Sequence, residues 1–393
     1  MKIVLISPIF ADLGICSISP LLRKEGYRVN LLFVPQLLRD CSRPLSKKIC
    51  SRINEFISGS DLVGFKGLSE NYYKTATLID GIKKVMQIPV IWGGDHATVR
   101  PQDCIKHADI VCVGEGEEAM LELARKLEKG ERLENIQNLL FRHNGNPAEV
   151  KLRAPVNIDL LLPLDYDLDS QYILENSKII NIKEPDFIGE FYSFSNRGCP
   201  FRCSFCCGTV MLDLYEGQKF CRQRSVENII NELKEIKSRF SSCKTIWFND
   251  GDFLAGKTQK DIEDFSERYR TEINLPFSIW TNPVSIRDEE SIRMLKYAGL
   301  KAVDIGTITG SDRTQRQIYM RNTSPDLYRS RAKILNKHKI DTAYDVILAN
   351  PYENDEDIIS TIRLMMQLPK PYTVFTHILT YFPKTALYER ALS

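Results

Sequence analysis

The sequence lacks the long apolar runs of membrane-spanning proteins and the excess of positive charge that is typical of nucleic-acid-binding proteins. No uninterrupted apolar stretch reaches the roughly 18 residues that a membrane-spanning helix needs. The 53 basic residues are nearly balanced by 51 acidic ones, so the 393-residue chain has a net charge of +2. A balanced chain has no excess of positive charge for nucleic-acid phosphates or an anionic membrane surface. We therefore expect neither a membrane span nor a nucleic-acid partner.

The sequence is also poor in histidine and in paired metal-binding motifs. It contains five histidines and eleven scattered cysteines, an odd number. The apolar run at 2–7 ends in Ser-Pro after about five apolar residues, so it resembles a buried strand more than an export signal. Disulfides persist mainly in oxidising compartments. We therefore expect reduced thiols and a cytoplasmic location.

Three of the cysteines lie close together in one short segment, with a spacing suited to binding a metal centre. Cys199, Cys203 and Cys206 follow a C-x3-C-x2-C spacing, and the aromatic Phe205 precedes the last of them. Three thiolates can hold three irons of a 4Fe-4S cluster, which leaves the fourth iron open to a small molecule. Half of a zinc site or a disulfide cluster are the alternatives, although structural zinc usually takes four ligands in paired spacing. The adjacent Cys207 is expected to pack beside the cluster.

The first 140 residues alternate short apolar runs with amphipathic segments. The predicted strands are 2–7, 28–33, 61–65, 89–92 and 109–113, and the predicted helices are 19–25, 72–86 and 117–126. This alternation predicts a doubly wound parallel sheet. Ligands of such sheets bind beyond the carboxyl ends of the strands. Glycines cluster at those ends, at positions Gly67, Gly93, Gly94, Gly114 and Gly116.

A second β/α series begins near residue 190. Its predicted strands are 191–195, 245–248, 277–281, 302–305, 342–348 and 373–380, and each but the last is followed by a helical pattern. Six such units predict an open, partial (β/α)6 barrel with its chemistry at the carboxyl ends of the strands. The predicted organisation is an N-terminal domain over 1–140, a proline-dotted linker over 141–189 and a barrel domain over 190–393.

The second domain resembles the radical S-adenosylmethionine (SAM) catalytic domain over most of 190–390. Besides the cysteine loop, the motifs similar to those of the family are 222–225 (RQRS), 249–252 (NDGD), 295–299 (LKYAG), 350–353 (NPYE) and 381–388 (YFPKTALY). The resemblance implies that Cys199, Cys203 and Cys206 ligate a 4Fe-4S cluster. It further implies SAM contacts at Phe205, Asn249, Asp250, Gly251, Asp252 and Thr309. Reductive cleavage of SAM would give methionine and a 5′-deoxyadenosyl radical.

One station departs from the family pattern. Family members commonly read G-x-E-S-G-S after the fourth strand, whereas this chain reads Gly-Thr-Ile-Thr-Gly-Ser over 306–311, so Ile308 stands in place of the glutamate. The hydroxyl of Thr307 or Thr309 is a weaker partner for SAM than a carboxylate. We therefore expect an altered SAM pose and an unaltered cluster loop.

The first domain resembles the cobalamin-binding domain that precedes the barrel in one group of these enzymes. The resemblance rests on the runs GGDHAT at 93–98 and DIVCVGEGE at 109–117, with Pro101 between them. It implies cobalamin contacts at Gly67, Leu68, Ser69, Gly93, Gly94, Asp95, Gly114, Glu115 and Glu117. The D-x-H-x-x-G run that supplies an axial histidine in other cobalamin proteins is absent. We expect cobalt to have no histidine ligand from this motif, and His96 to be a packed turn residue.

Together the two resemblances imply an enzyme that uses a 4Fe-4S cluster, SAM and cobalamin. It would methylate an unactivated carbon of an unknown small-molecule or peptide substrate, and it would take electrons from an external donor of the flavodoxin or ferredoxin type. Radical cyclisation or rearrangement on the same scaffold is one alternative. A degenerate cobalamin-binding or regulatory protein is another, and a barrel with a vestigial first sheet is a third.

Overall fold

A computed structural model describes residues 1–40, 43–142 and 150–393. These residues form two compact units, one built from Met1–Val156 and Leu160–Asp186 and the other from Asn157–Asp159 and Phe187–Ser393. Part of the predicted linker, 143–149, lies outside the described residues. The domain limits predicted at 140 and 190 stay predictions.

The first unit is built on one eight-stranded sheet. Its strands are β1 (Lys2–Ser7), β2 (Arg28–Phe33), β3 (Leu62–Lys66), β4 (Val90–Gly93), β5 (Ile110–Cys112), β6 (Leu139–Phe141), β7 (Gln171–Glu175) and β8 (Lys178–Asn181). They lie in the order β6-β5-β4-β3-β1-β2-β7-β8, and only β6 and β8 run antiparallel to their neighbours. The order reverses between β1 and β3, which confirms a doubly wound sheet with its switch point there.

Helices cover this sheet where the sequence provides caps and apolar faces. They are α1 (Leu13–Lys24), α2 (Lys47–Ile57), α3 (Tyr72–Val85), α4 (Asp95–Val99), α5 (Pro101–Cys104) and α6 (Glu117–Lys129). Helix α1 begins six residues before its predicted start because the Asp12 carboxylate accepts a 3.1 Å bond from the Ile15 backbone N–H. Helix α2 was not predicted, although Ser46 caps it and Ile53 and Ile57 give it a buried stripe.

The second unit contains a six-stranded, all-parallel sheet. Its strands are β9 (Glu190–Ser193), β12 (Thr245–Phe248), β13 (Phe277–Thr281), β14 (Leu300–Ile308), β15 (Asp341–Leu348) and β16 (Thr373–Ile378), and β10 (Asn196–Arg197) pairs with β11 (Arg222–Gln223) in a separate ribbon. Each strand of the sheet pairs with the next in chain order, from β9 to β16. This confirms the predicted partial barrel of β/α units.

Helices alternate with these strands and bury one face of the sheet. They are α7 (Cys207–Leu214), α8 (Val226–Arg239), α9 (Gln259–Arg268), α10 (Glu289–Ala298), α11 (Pro325–Lys337), α12 (Asp355–Gln367) and α13 (Ala386–Leu392). Phe248, Ile279 and Val303 are fully buried, which marks the helix-covered face. Residues alternating with them therefore lie on the opposite face, which we call the inner face. Among the described helices, none combines the length and apolar character needed to cross a membrane.

Candidate active site

The cysteine loop lies between the β10 segment and helix α7. Gly198 opens the loop with a φ of +88°, and a β-carbon there would lie 3.0 Å from the Phe220 carbonyl oxygen, so the turn requires glycine. At the other end, the Cys206 Sγ accepts a 3.4 Å hydrogen bond from the Gly208 backbone N–H at the start of α7. A thiolate at a helix N-terminus is stabilised by the helix dipole.

The three predicted ligands are brought close together. Burial, together with smaller effects of the charges of Asp252 and of the nearby Cys203 and Cys206, raises the pKa of the Cys199 thiol to about 12. Cys199 and Cys203 carry free thiols, which disfavours the disulfide alternative for those two. Within 1–40, 43–142 and 150–393, no group of three or more His, Cys, Asp or Glu side chains is arranged to hold a single metal ion. Neighbouring thiols fit a cluster, because each thiolate there takes its own iron.

The middle of the loop is anchored to the segment that follows β14. The buried Ser204 donates from its backbone N–H to the Tyr319 carbonyl at 3.0 Å and from its hydroxyl to the Ile318 carbonyl at 2.5 Å. Its own carbonyl accepts a bond from the Leu387 N–H at 2.9 Å. Phe205 packs edge-on against the Tyr319 ring at 4.9 Å. Ser204 and Tyr319 thus hold the cysteines in place, and no sequence motif singled them out.

Asp250 anchors the entry to the loop. Its carboxylate is buried and accepts bonds from the backbone N–H groups of Ser195 and Asn196 at 2.7 and 2.8 Å and from the Ser195 hydroxyl at 2.8 Å. The buried Lys257 ammonium also donates to the Ser195 hydroxyl, at 2.8 Å, and its positive charge lowers the pKa of Asp250 against the larger, opposite effect of burial. This carboxylate therefore ties the end of β12 to the chain that leads into Cys199.

The other residues of the 249–252 run separate into two sets. Asp252 is buried, and its two oxygens accept four bonds of 2.6 to 3.1 Å, from Thr281, Ser285 and two backbone N–H groups. Asn249 and Gly251 alternate with the two aspartates and are exposed. A β-carbon on Gly251 would lie 3.4 Å from the Cys199 β-carbon. Of the four predicted SAM contacts in this run, Gly251 therefore lies against the cysteine loop and Asn249 is accessible.

The position of the missing glutamate is apolar. Ile308 is 7% exposed and packs with Ile318, Tyr319, Leu379 and Leu387, and Phe205 lies against the same cluster. Its φ is +70° at an irregularity in the β14–β15 register, an unusual conformation for a β-branched residue. Strained backbone of this kind is concentrated at functional sites.

The predicted SAM contact Thr309 is buried and engaged within the protein. Its hydroxyl donates to the Glu353 carboxylate at 2.9 Å and lies 2.9 Å from the Thr361 hydroxyl. Burial raises the pKa of the half-buried Glu353. The sequence motif containing Glu353 was recognised, but its contact with Thr309 required the tertiary structure. Glu353 therefore places a carboxylate next to the 306–311 segment, in which Ile308 stands in place of the glutamate that is common in the family.

The inner face of the barrel carries a mixed aromatic and titratable surface. His377 lies 2.9 Å from an Asp345 oxygen, and Trp247 meets Trp280 edge-on at 6.4 Å between ring centres. Burial raises the pKa of Asp304 to about 6, and the charge of Asp345 adds to this effect. These five side chains come from five strands, so the sequence could indicate a shared face only through the alternation of buried and exposed residues along β12 to β15. Such a surface can bind an organic molecule by stacking and hydrogen bonding.

In the first unit, the predicted glycines meet at the carboxyl ends of β3, β4 and β5. The Gly67 N–H donates to the Gly93 carbonyl at 3.0 Å, while the Gly94 carbonyl and the Gly114 N–H both bond to Thr98 at 3.0 Å. Gly94 has a φ of +95°, and a β-carbon there would lie 2.9 Å from the Gly67 carbonyl oxygen. The linked, partly exposed backbone at 93–95 and 114–116 fits a ligand that lies against it.

The polar residues around this edge have distinct roles. His96 packs on the Tyr72 ring at 4.5 Å and bonds through Nδ1 to the predicted contact Ser69 at 2.9 Å, and burial lowers its pKa to about 4. The predicted contact Glu115 accepts a bond from the Val156 N–H at 2.8 Å, and Glu117 is buried in the first turn of α6. His96 is therefore held as a neutral, packed ring.

A buried ion pair at the switch point was missed by sequence reasoning. The Lys66 ammonium lies 2.7 Å from the fully buried Asp12 carboxylate, which also accepts a 2.9 Å bond from the Ser7 hydroxyl. The negative charge of Asp95, a predicted cobalamin contact, also acts on Lys66. These residues follow or end strands β1, β3 and β4, where a doubly wound sheet binds its ligands. They add charged groups to the glycine-rich edge.

Comparisons with known proteins agree with this arrangement. The sequence profile of the radical SAM superfamily matches residues 194–365, and that of the B12 binding domain matches residues 4–124. The chain is 27% identical over 388 residues to an uncharacterized methyltransferase of Pyrococcus horikoshii, and the alignment covers 97% of this chain and 78% of the relative. It is 22% identical over 351 residues to an anaerobic magnesium-protoporphyrin IX monomethyl ester cyclase of Rubrivivax gelatinosus, and this alignment covers 87% of this chain and 59% of the relative.

Solved structures show the same fold. The radical SAM methyltransferase TsrM from Kitasatospora setae, with cobalamin and a [4Fe-4S] cluster bound, superposes with a TM-score of 0.74 at 16% identity, over 98% of this chain and 74% of that one. The cobalamin-dependent SAM radical enzyme OxsB gives 0.73 at 17% identity, over 100% of this chain and 55% of that one. The two profiles lie in the order of the two units, so the chain belongs to the proteins that combine a B12 binding domain with a radical SAM domain.

Proposed function

We propose that this protein is a cobalamin-dependent radical SAM enzyme that methylates an unactivated carbon atom. The observation that carries the proposal is the set of three neighbouring thiols, Cys199, Cys203 and Cys206, in a unit that follows a B12 binding domain. When bound, the 4Fe-4S cluster would supply the electron that cleaves SAM to a 5′-deoxyadenosyl radical, and cobalamin would supply the methyl group.

The protein side chains in this scheme mainly bind and orient. The three cysteines would hold the cluster, while Gly251 and Asn249 would approach SAM with backbone and amide groups. The glycine-rich ends of β3, β4 and β5 would support the corrin ring. Few side chains are needed as acids or bases, because abstraction of a hydrogen atom by a radical moves the proton and the electron together.

The inner face supplies the groups best placed to contact a substrate. Trp247 and Trp280 offer stacking surfaces, and Asp304, Asp345 and His377 offer hydrogen bonds. We infer that the substrate is a small organic molecule or peptide segment with an aromatic or polar portion. The enzyme would draw electrons from a flavodoxin- or ferredoxin-type donor in the cytoplasm, where thiols remain reduced.

Radical cyclisation is the second candidate reaction. Two of the similar proteins are named as anaerobic magnesium-protoporphyrin IX monomethyl ester cyclases, from Rubrivivax gelatinosus and Cereibacter sphaeroides. The chain spans 59% and 54% of their lengths. A cyclase would form 5′-deoxyadenosine without passing a methyl group from SAM to its product.

Anaerobic reconstitution followed by product analysis tests the proposal. The protein is loaded with iron, sulfide and hydroxocobalamin and treated with SAM and a strong reductant, and the products are identified by mass spectrometry. Formation of both 5′-deoxyadenosine and S-adenosylhomocysteine supports methylation, whereas 5′-deoxyadenosine alone favours cyclisation or rearrangement. Formation of neither product by fully loaded protein would favour a degenerate or regulatory role.

A pair of adjacent variants separates the ligands from their neighbour. Cys203→Ala should abolish the visible absorption of the cluster and its bound iron, because one of three thiolates is lost. Cys207→Ala should retain both, since the adjacent thiol is not required as a ligand. A Cys203→Ala protein with full cluster absorption would refute the ligand assignment.

A further inference from the structure

Arg321 is a buried cation that contacts one of the cluster cysteines. The residue is 8% exposed and follows the turn Thr314–Ile318. Its Nη1 lies 3.7 Å from the Cys203 sulfur, within hydrogen-bonding distance for a sulfur acceptor. Its Nη2 donates to the Gly306 carbonyl at 2.5 Å and lies 3.4 Å from the Tyr328 hydroxyl. The guanidinium is therefore held rigidly against the cysteine loop.

This guanidinium lacks the counter-charge that a buried arginine ordinarily has. In the described part of the chain, no Asp or Glu forms an ion pair with Arg321, and its buried Nε has no hydrogen-bond partner. Arg224 in the same unit shows the usual arrangement, since it is buried against Glu232 with N–O distances of 3.1 and 3.2 Å. Buried charges are normally paired or bound to a metal centre. Of the groups in contact with Arg321, the Tyr328 hydroxyl and the Cys203 sulfur can become anions, and Cys203 is the one predicted to ligate the cluster.

We propose that Arg321 is the electrostatic partner of the iron–sulfur cluster and sets its reduction potential. This inference rests on the proposed function, because it requires Cys203 to ligate a cluster. Reduction by one electron from the external donor adds one negative charge to the cluster. A fixed cation that donates N–H to a ligand sulfur stabilises that added charge and raises the potential.

The geometry also explains why a rigid arginine occupies this position. Arg321 is held by its own backbone N–H, which donates to the Gln315 carbonyl at 2.7 Å, and by two groups on its Nη2. The planar guanidinium can thus bond to the protein on one side and to sulfur on the other. A lysine would keep the charge but lose this fork. It should therefore keep only part of the effect on the potential.

The test is a redox titration of the reconstituted cluster without SAM, monitored by electron paramagnetic resonance. Iron and sulfide contents are measured first in wild type and in Arg321→Gln, Arg321→Lys and Arg316→Gln. Arg316 is a matched control, because it is an exposed arginine on the same turn that pairs with Asp312. We expect Arg321→Gln to lower the ratio of reduced to oxidised cluster at least tenfold at a fixed ambient potential, a shift of about 59 mV for one electron. Arg321→Lys should show a smaller shift in the same direction, and Arg316→Gln none.

Several results would overturn the proposal. A fully assembled Arg321→Gln cluster with the wild-type potential would remove the electrostatic role. Weakened SAM binding with an unchanged potential would assign the guanidinium to the SAM carboxylate instead. If Arg321→Gln assembles no cluster, the potential of Arg321→Lys decides, and a value equal to or above that of wild type overturns the proposal. Failure of the wild type itself to assemble a cluster would count against the proposed function.

Discussion

Asp250→Asn is the variant that best separates a structural role from SAM binding. Sequence similarity places Asp250 among the SAM contacts, whereas the structure buries its carboxylate against Ser195, Asn196 and the charge of Lys257. Asparagine has nearly the same shape and keeps one oxygen acceptor. It replaces the other oxygen with a donor and removes the negative charge beside a buried ammonium. The expected loss is therefore mainly electrostatic.

The magnitude follows from the cost of leaving a buried charge uncompensated. Removal of one partner of a buried ion pair costs about 3–5 kcal/mol. Three hydrogen bonds converge on the carboxylate, and Lys257 remains buried in the variant. We expect the free energy of unfolding of the second unit to fall by about 3 kcal/mol. For a unit of this size that corresponds to a fall of about 6–12 °C in the midpoint of thermal unfolding.

The assay compares thermal unfolding, iron content and SAM affinity in two adjacent variants. Asp250→Asn should unfold at lower temperature and retain less iron, but protein that carries a full cluster should bind SAM as wild type does. Asn249→Ala should keep the wild-type melting temperature and iron content but bind SAM more weakly, because Asn249 is exposed. A wild-type melting temperature with weak SAM binding in Asp250→Asn would refute the structural role and restore the contact inferred from similarity.

Three further perturbations test other parts of the structure. Gly94→Ala should lower both the melting temperature and cobalamin retention, because its β-carbon would lie 2.9 Å from the Gly67 carbonyl oxygen. The control Gly81→Ala, in open space on α3, should be neutral or stabilising by about 0.5–1 kcal/mol. A stable Gly94→Ala protein that retains cobalamin would contradict this prediction. Ile308→Glu should lower the free energy of unfolding by about 3 kcal/mol or more in urea titrations, and by more than Ile308→Gln, because a carboxylate would be buried among apolar side chains. Because burial raises the folded-state pKa of Asp304 from 3.8 to about 6, the stability contributed by its protonated form is present below about pH 3.8 and is lost as pH rises through about 6. Asp304→Asn should therefore be more stable than wild type at pH 8 but not at pH 4, and an equal gain at both values would refute the assigned cause.

Local pattern was sufficient wherever the chemistry lies within one short segment. The spacing of Cys199, Cys203 and Cys206 is a property of eight residues, and the alternation of apolar runs with amphipathic segments located the six barrel strands within a few residues. Helix starts were less predictable, because Asp12 caps α1 through a side chain whose role is visible only in context. Similarity to a known family also identified the two domains, since its motifs are likewise short.

Amino-acid sequence by itself therefore determined the fold class, the order of the two domains and the cysteine loop. Tertiary structure alone decided what surrounds that loop, because those contacts join residues that are far apart along the chain. The contact between Arg321 and Cys203 spans 118 residues, and the bonds between Asp250 and Ser195 span 55. Burial and hydrogen bonds within the protein give Asp250 and Asp252 structural contacts that the motif did not indicate, and their contacts with SAM stay predictions. A motif names a residue type at a position, but the direction of its side chain depends on packing that no local pattern records.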